Sequence, residues 1–371
     1  MNNHRISLIF LSFIFLLFTT CSKKETRVVR GYYYWRTNGY VTQEESKFLQ
    51  THSITKLYSK LMDIDWSDVN GAYPVVSGKL DLLNYYINNR DFLNIDIVPV
   101  IFITNNTFSK IDSSDIELLA KRTIRRCLPQ YDEIDVRYEK RLRNEDYWGS
   151  DSIPITPKEI QFDCDWTEST AKKYFYFLKV FKSLLPQNIK VSATIRLHQF
   201  KYQTKTGVPP VDRGMLMVYN ISNPTDYSLN NSIFDLKKAE KYFVSGNKYP
   251  LPMDIVLPAF SWCIIFRDKK FYQIENELTE DEIKNLSFLK VEQNHIYKVM
   301  TDTVFRDLFL RPGDEIKVET ISQKTLLNAA FLAQKAINAD TSSIALFELS
   351  ETEIKNYKYE TIESVYSSFS K

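Results

Sequence analysis

Two aspartates separated by one residue are the feature of this sequence best suited to chemistry. Residues 160–168 read Ile-Gln-Phe-Asp-Cys-Asp-Trp-Thr-Glu, and a β-strand directs alternate side chains to opposite faces. Asp163 and Asp165 therefore share a face with Gln161, while the other face is apolar. Two carboxylates held close together shift each other's pKa, which suits proton transfer or ligand binding. A structural ion network is the alternative interpretation, because such networks also shift pKa values.

The next strand-like segment, residues 189–198, carries a cation and a histidine in the same alternating pattern. Arg196 and His198 share a face with Ser192 and Thr194. The planar guanidinium of Arg196 can neutralise the aspartates, or hold a carboxylate or a sugar hydroxyl. His198 can relay a proton, bind a metal or only orient a neighbour.

These residues leave a metal site open as an alternative. Asp163, Asp165 and His198 together form a ligand set for a hard or borderline cation, and the protein would then be a metal-dependent hydrolase. Our prediction is that no metal and no other cofactor is bound, and that the aspartates act directly on a ligand.

Further polar and aromatic side chains are expected at other strand ends. Glu348 lies at the end of the last strand-like segment and can serve as an acid, and Asp63 and Asp65 alternate at the end of the second. Aromatic rings at strand ends can stack on sugars, although packing is their commoner role. The candidates are Tyr34, Trp35, Trp66 and Trp262.

The elements that position these residues alternate between strand-like and helix-like patterns. Strand-like segments occur at residues 30–36, 54–64, 95–103, 159–165, 189–198, 215–219, 254–260 and 343–349. Helix-like segments occur at residues 42–51, 79–89, 114–127, 168–185, 232–243 and 324–338. This alternation predicts an α/β fold with a single (β/α)8 TIM barrel. The carboxyl ends of the strands form the mouth of such a barrel, where active sites lie.

Two segments do not follow the repeat. Residues 129–157 are rich in charged residues and tyrosine, and they are expected to form a long loop. Residues 269–320 are expected to form a small β-rich subdomain, inserted before the last helix and strand.

Three strand ends carry motifs that are similar to those of a known family. Asp-Cys-Asp-Trp at residues 163–166, Met-Val-Tyr-Asn at 217–220 and Leu-Pro-Ala-Phe at 257–260 occur in this order along the chain. They resemble the fourth-, sixth- and seventh-strand motifs of the family-18 chitinase-like glycoside hydrolase superfamily. The resemblance implies a TIM barrel that engages an oligosaccharide or polysaccharide at its mouth, with Tyr219 and Asn220 among the binding residues.

Two departures from the family pattern bear on catalysis. The family's catalytic glutamate would fall at Thr167, and the nearest carboxylate is that of Glu168. Asn220 stands where the family has an aspartate. The resemblance therefore implies either a glycoside hydrolase with an altered acid or a non-catalytic glycan-binding or envelope-assembly lipoprotein. The carboxylates available to a hydrolase are Asp163, Asp165, Glu168 and Glu348.

The amino-terminal residues resemble a bacterial lipoprotein signal. Arg5 is followed by the apolar residues 6–18 and then by Cys21 and a charged segment, and the apolar run is too short to span a bilayer. We expect residues 1–20 to be removed, a lipid on the Cys21 thiol, a tether over residues 21–28 and the barrel over residues 29–371. The protein is then anchored to a membrane of the bacterial cell envelope. An ordinary signal peptide with an incidental cysteine is the alternative.

The composition fits a large folded domain and limits its partners. Hydrophobic residues make up 44% of the chain and aromatic residues 14%, which argues against disorder. The formal net charge is +2, with acids and bases interspersed, so no basic stripe favours nucleic acid as a partner. Apart from Cys21 the chain has Cys127, Cys164 and Cys263. This odd number, with no close pair, does not predict a disulfide framework.

Overall fold

The computed structural model describes residues 26–128, 157–243, 248–276, 278–293 and 295–370. The signal peptide predicted for residues 1–20, the lipid predicted on Cys21 and nearly all of the loop predicted for residues 129–157 lie outside the described residues. The tether predicted for residues 21–28 extends too far, because the first strand already begins at Arg27.

Eight parallel strands form a closed barrel. The first strand pairs with both the second and the eighth, so the sheet closes on itself and the predicted TIM barrel is confirmed. A further strand, Gly71–Val76, pairs antiparallel with the end of the second strand. The barrel strands in chain order are Arg27–Tyr34, Lys56–Ser67, Asp96–Ile103, Glu159–Asp163, Lys190–Arg196, Arg213–Met217, Met253–Pro258 and Thr341–Phe347.

Helices connect the strands and follow the predicted segments with shifted ends. The first helix begins with a capping box, in which Thr42 and Glu45 each accept a hydrogen bond from the other's backbone NH. None of the described helices is long and apolar enough to cross a membrane. The α-helices are Gln43–Thr51, Leu80–Asn84, Asn105–Lys110, Ile116–Cys127, Ala171–Leu184, Leu197–Lys201, Gln203–Thr206, Leu236–Glu240, Glu280–Lys284, Gln323–Ala333, Glu351–Ile354 and Tyr359–Ser368.

The fourth strand separates the outer core from the barrel interior. Phe162 points outward and contacts Phe177 and Phe181 of the following helix, with ring centroids 5.4 and 4.7 Å away. All three rings are buried, and burial of each contributes about 1.5–3 kcal/mol. Gln161 points inward, where its Oε1 accepts a 2.5 Å hydrogen bond from the Tyr33 hydroxyl of the first strand. The two faces predicted from the alternation are therefore confirmed.

Ion pairs occupy the barrel interior below the mouth. The Nζ of Lys56 lies 2.9 Å from Glu159, and Ser192 donates a 2.6 Å hydrogen bond to the same carboxylate. Arg213 binds Asp254 through two hydrogen bonds of 2.8 and 2.7 Å. Each of these buried carboxylates has an opposite charge beside it, because an unpaired buried charge costs several kcal/mol. These paired acids are separate from the acids of the mouth.

A second sheet is inserted between the seventh strand and helix Gln323–Ala333. The insertion was predicted for residues 269–320, but its sheet begins earlier, because the apolar residues after the seventh strand form a strand of their own. The strands of this antiparallel sheet are Trp262–Arg267, Lys270–Glu275, Leu289–Gln293, Ile296–Val299 and Glu315–Glu319, with a separate hairpin of Thr303–Phe305 and Leu308–Leu310.

Glu319 links the inserted sheet to the barrel through hydrogen bonds. Its carboxylate is buried and accepts hydrogen bonds from the backbone NH of Ser232 at 2.7 Å and from the indole NH of Trp262 at 3.0 Å. Lys317 completes the network with its Nζ 2.8 Å from the same carboxylate. Ser232 belongs to the loop that follows the sixth strand, so the network holds the inserted sheet beside the mouth.

Candidate functional site

Asp163 is a half-buried acid at the mouth of the barrel. It ends the fourth strand, and its Oδ1 accepts a 2.6 Å hydrogen bond from the hydroxyl of Thr194 on the fifth strand. Burial, and then the neighbouring charge of Asp165, raise the pKa of the Asp163 carboxyl to about 6, while Thr194, Arg196 and Lys60 act in the opposite direction. A carboxyl with this pKa exchanges protons near neutral pH.

Asp165 lies two residues further on in a more open position. Its side chain is 49% exposed, and its Oδ1 lies 3.1 Å from the Nε of Arg196. The structure therefore brings Asp163, Asp165 and Arg196 together, as the alternation predicts. The two aspartates are not equivalent, because Asp165 is the more exposed of the two and is ion-paired with Arg196.

His198 lies outside the strand that was predicted to carry it. The fifth strand ends at Arg196, because the Gln199 side chain accepts a 2.7 Å hydrogen bond from the Arg196 backbone NH and a short helix begins at Leu197. His198 is exposed on that helix. Burial of part of its ring and the charge of Arg196 lower the pKa of the imidazole, and Asp165 opposes that shift. The shift favours the neutral form of the ring.

The three proposed metal ligands do not form a metal centre. In the described residues, no group of three or more His, Cys, Asp or Glu side chains is arranged to hold a metal ion. One Asp163 oxygen is occupied by Thr194, and Asp165 is paired with Arg196. This donor set does not fit the predicted alternative of a metal-dependent hydrolase.

Glu168 and Glu348, the other two candidate acids, lie in different surroundings. Glu168 is exposed in a turn before the helix that begins at Ala171, three residues later than predicted. The hydroxyl of Thr167, at the position of the family's glutamate, lies 2.9 Å from that of Ser169. Glu348 is half-buried directly after the eighth strand, and its charge acts on both Arg36 and Tyr219. Glu348 therefore belongs to the mouth, while Glu168 lies on the surface.

An aromatic cluster forms one side of the mouth around Phe347. The ring centroid of Phe347 lies 5.7 Å from those of Tyr33 and Trp35 and 5.4 Å from those of Tyr219 and Phe260. Trp35 and Phe347 remain half-buried. Burial, followed by the charge of Asp163, raises the pKa of the Tyr219 hydroxyl well above its ordinary value, so this hydroxyl keeps its proton.

Two predicted aromatic ligands are placed elsewhere. Tyr34 points away from the barrel interior, and its hydroxyl hydrogen-bonds Asn38 and the carbonyl of Tyr40. Trp262 is 8% exposed and donates its indole NH to Glu319. Both rings are packing residues with little surface for a sugar, which corrects their assignment as ligand-binding residues.

Asn220 has a buried polar atom without a partner. Its Oδ1 is buried and accepts no hydrogen bond, and its backbone has a φ of 52°, a left-handed conformation that asparagine tolerates better than most residues. Leaving such an acceptor unsatisfied costs about 1–3 kcal/mol. A ligand with an NH or OH donor can satisfy it.

The acids predicted at the end of the second strand flank the mouth, with partners of their own. The Nζ of Lys60 lies 2.8 Å from Oδ1 of Asp63 and 5.5 Å from the centroid of the Trp35 ring. Asp65 accepts a 2.5 Å hydrogen bond from the hydroxyl of Thr104. The sequence reasoning did not single out Lys60 or Tyr33, although the alternation that places Trp35 at the mouth also places Tyr33 on the inner face.

The chain is similar in fold to several solved structures. The spore cortex-lytic enzyme SleL of Bacillus cereus matches 92% of this chain and 75% of its own, with a TM-score of 0.52 at 12% identity. A GH18 chitinase from Cycas revoluta in complex with (GlcNAc)3 matches 92% and 99%, with a TM-score of 0.52 at 9% identity. The chitinase-like agglutinin of Robinia pseudoacacia matches 91% and 99%, with a TM-score of 0.50 at 10% identity.

These likenesses show the fold, a TIM barrel similar to those of SleL and of a GH18 chitinase. Comparison of the amino-acid sequence finds no relative, since no protein-family model and no curated protein matches this chain. The chain carries Thr167 and Asn220 at positions where the motifs that it resembles have carboxylates.

Proposed function

We propose that this protein binds an oligosaccharide in the mouth of the barrel. The observation that carries the proposal is the pairing of a half-buried carboxyl, Asp163, with an exposed one, Asp165, near the half-buried rings of Trp35 and Phe347. Carboxylates accept hydrogen bonds from sugar hydroxyls, and aromatic rings offer a flat apolar surface to a sugar ring. Arg196 adds donors at the same place.

The solved structures of the same fold support a sugar as the ligand. One is a chitinase in complex with (GlcNAc)3, and another is described as an agglutinin. Because these structures have low sequence identity to this chain, the identity of the sugar must be inferred from the side chains of this protein.

Binding without hydrolysis agrees best with the side chains present. A glycosidase needs an acid that protonates the leaving oxygen and a second group that stabilises the positive charge on the sugar. Thr167 cannot act as that acid, and Glu168 is exposed in a turn. The Asp165 carboxylate is already paired with Arg196.

Hydrolysis is the second candidate, and one observation favours it. The pKa of Asp163 is raised to about 6, which is the range in which a general acid works at near-neutral pH. The second carboxylate that a hydrolase needs could be that of Glu348, whose charge acts on Tyr219 as that of Asp163 does.

A binding and turnover experiment distinguishes the two candidates. The purified chain without residues 1–20 is titrated with β-1,4-linked oligomers of N-acetylglucosamine, glucosamine and glucose, and the release of reducing ends is measured in parallel. We expect binding to at least one oligomer, no turnover, and a loss of about tenfold or more in affinity for Asp165→Ala, equivalent to about 1.4 kcal/mol.

Asp307→Asn is the matched control, because Asp307 is exposed in the inserted hairpin at a left-handed position that asparagine tolerates. It should bind like the parent. Turnover that disappears in Asp163→Asn would establish the hydrolase instead. Absence of binding to every oligomer would refute the proposal.

The lipid anchor expected on Cys21 would set the orientation of this site. The first strand begins at Arg27, only a few residues beyond Cys21, and strand beginnings lie at the end of the barrel opposite the mouth. An anchored chain would therefore present its mouth away from the membrane, toward soluble or cell-wall glycans.

A further inference from the structure

A cavity opens at the end of the barrel opposite the mouth, where the strands begin. Its volume is about 580 Å³, and its lining includes the first residues of the second, third, fourth, fifth, sixth and eighth strands. A cavity of this size suits a small organic ligand better than a single ion or water molecule. None of the described residues assigned to the mouth lines it, so it is a separate candidate site.

Most of the charged groups of this cavity are paired with one another. The Nζ of Lys56 lies 2.9 Å from Glu159, and that of Lys158 lies 2.6 Å from Asp96. The guanidinium of Arg213, which also lines the cavity, is bound by the buried aspartate of the seventh strand. Each of these three cations is therefore neutralised by one carboxylate.

Lys190 is the remaining cation of the cavity. It begins the fifth strand at the exposed rim, and within the described part of the chain no carboxylate pairs with its Nζ. Two exposed amides, those of Asn94 and Asn188, lie in the same lining and offer neutral NH donors. The cavity thus has one uncompensated positive charge and further hydrogen-bond donors, which suits a ligand with one negative charge.

A buried hydroxyl next to the cavity also lacks a partner. Tyr58 of the second strand is 0% exposed, and its Oη has no hydrogen-bond partner of normal length and angle among the described residues. Three residues of the cavity lining, Glu159, Ser343 and Arg213, act on this hydroxyl, so it is directed toward the cavity. Burial and the charge of Glu159 raise the pKa of Tyr58 well above its ordinary value, so the hydroxyl keeps its proton. Because buried polar groups normally have partners, this donor points to an acceptor that enters the cavity.

We propose that this cavity binds a phosphodiester, whose single negative charge is matched by Lys190 and whose oxygen accepts a hydrogen bond from the Tyr58 hydroxyl. Lysine binds phosphate groups as a point charge. The choice of a phosphodiester over other monoanions rests on the lipid anchor proposed for Cys21. That anchor would hold the strand beginnings close to a membrane, whose phospholipid headgroups are phosphodiesters.

The first test uses soluble probes, the purified chain without residues 1–20 and isothermal titration calorimetry. The probes are glycerophosphoglycerol, which is a phosphodiester, glycerate, which is a carboxylate of the same charge, and glycerol, which is neutral. We expect glycerophosphoglycerol to bind about tenfold more tightly than glycerate, and glycerol not to bind.

A vesicle experiment distinguishes the two sources of a phosphodiester. The same unlipidated chain is mixed with vesicles of phosphatidylcholine that contain or lack phosphatidylglycerol, and the vesicles are recovered by flotation. Recovery of the protein with the phosphatidylglycerol vesicles identifies a lipid headgroup as the ligand. Binding of glycerophosphoglycerol without recovery on vesicles identifies a free phosphodiester.

Two variants test the assignment at the residue level. Lys190→Gln should weaken glycerophosphoglycerol binding by about tenfold, because it removes the unpaired charge. Tyr58→Phe should weaken binding by about fivefold without lowering the melting temperature, because the lost hydroxyl has no partner in the unliganded protein. Lys324→Gln is the matched control, since Lys324 is exposed in the first turn of helix Gln323–Ala333, at the mouth end of the barrel. It should bind like the parent.

Several results would overturn the proposal. These are no binding of glycerophosphoglycerol, equal binding of glycerate, or a loss in Lys324→Gln as large as that in Lys190→Gln, which would indicate a general effect of charge. Vesicle binding that is the same in the parent and in Lys190→Gln, with no binding of the soluble probe, would overturn it as well. Oligosaccharide binding at the mouth and the anchor on Cys21 have tests of their own and do not depend on these results.

Discussion

The hydroxyl of Thr194 donates a 2.6 Å hydrogen bond to Oδ1 of Asp163, joining the fifth strand to the fourth at the mouth of the barrel. The bond favours the ionised form of a carboxyl that burial and Asp165 push toward the protonated form. The balance leaves the pKa at about 6. Thr194 is therefore one of the groups that set how much of Asp163 is ionised.

Thr194→Val should raise the pKa of Asp163 above about 6, because the hydrogen bond that stabilises the carboxylate is lost. Carbon-13 NMR titration of the aspartate carboxyls measures the change. Thr194→Ser is the control, because serine keeps the hydroxyl and should leave the pKa near that of the parent. An unchanged pKa in the valine variant would show that the bond has no influence on titration.

Asp163→Asn should increase stability at neutral pH. The folded-state pKa of about 6 lies above the ordinary value of 3.8, so Asp163 binds its proton more tightly when folded. The contribution of this tighter proton binding to the free energy of unfolding is fully present below about pH 4 and is lost as pH rises through about 6. The loss reaches about 3 kcal/mol, because one pKa unit corresponds to about 1.4 kcal/mol. Asparagine removes this loss and keeps an acceptor for Thr194.

Urea unfolding at about pH 4 and pH 7.5 measures this effect. The asparagine variant should be the more stable at the higher pH, and the difference should nearly vanish at the lower. Asp165→Asn should change stability by less than about 1 kcal/mol at either pH, because half-exposed ion pairs contribute little. A loss of about 3 kcal/mol in both variants would instead identify a structural ion network.

Metal removal should have no effect on the folded protein. Asp163 and Asp165 already have Thr194 and Arg196 as partners, and His198 is exposed on a separate helix. We expect the melting temperature and the affinity for oligosaccharides to stay unchanged after dialysis against a chelator. Elemental analysis that finds a stoichiometric, tightly held cation would favour a metal-dependent hydrolase.

Cys21→Ser should release the protein from membranes. The expected lipid contributes about 0.8 kcal/mol for each buried methylene group, and the described residues contain no helix long and apolar enough to cross a membrane. Fractionation of cells that express the parent and the variant, followed by a salt wash, measures retention. If the serine variant stays with the membranes after the wash, the lipoprotein hypothesis is wrong.

Much of the barrel could be predicted because alternation along a strand depends only on local geometry. Phe162 faces the helices and Gln161 faces the interior, since successive side chains of any strand point to opposite sides. The same rule predicts from the sequence that Asp163, Asp165 and Arg196 lie together. The order of strands and helices then left the closed parallel barrel as the simplest arrangement.

The sequence-based prediction was wrong for other residues, because a tertiary contact sets the position of their side chains. Tyr34 was expected at the mouth, but the inner side chain is that of Tyr33, because a shift of one residue reverses the faces of a strand. His198 left its strand because the Gln199 side chain begins a helix at Leu197. Trp262 was predicted to stack on a sugar, but it is buried and its indole NH is bonded to Glu319, which is distant in sequence.

The sequence by itself determined which residues share a face and which motifs end the strands, because both follow from the spacing of side chains along one segment. Only the tertiary structure decided that Asp163 is half-buried while Asp165 is exposed, and that the Oδ1 of Asn220 has no partner. Burial, pKa and hydrogen-bond partners depend on atoms brought from other strands. Those contacts exist only after the barrel has closed, so no local pattern encodes them.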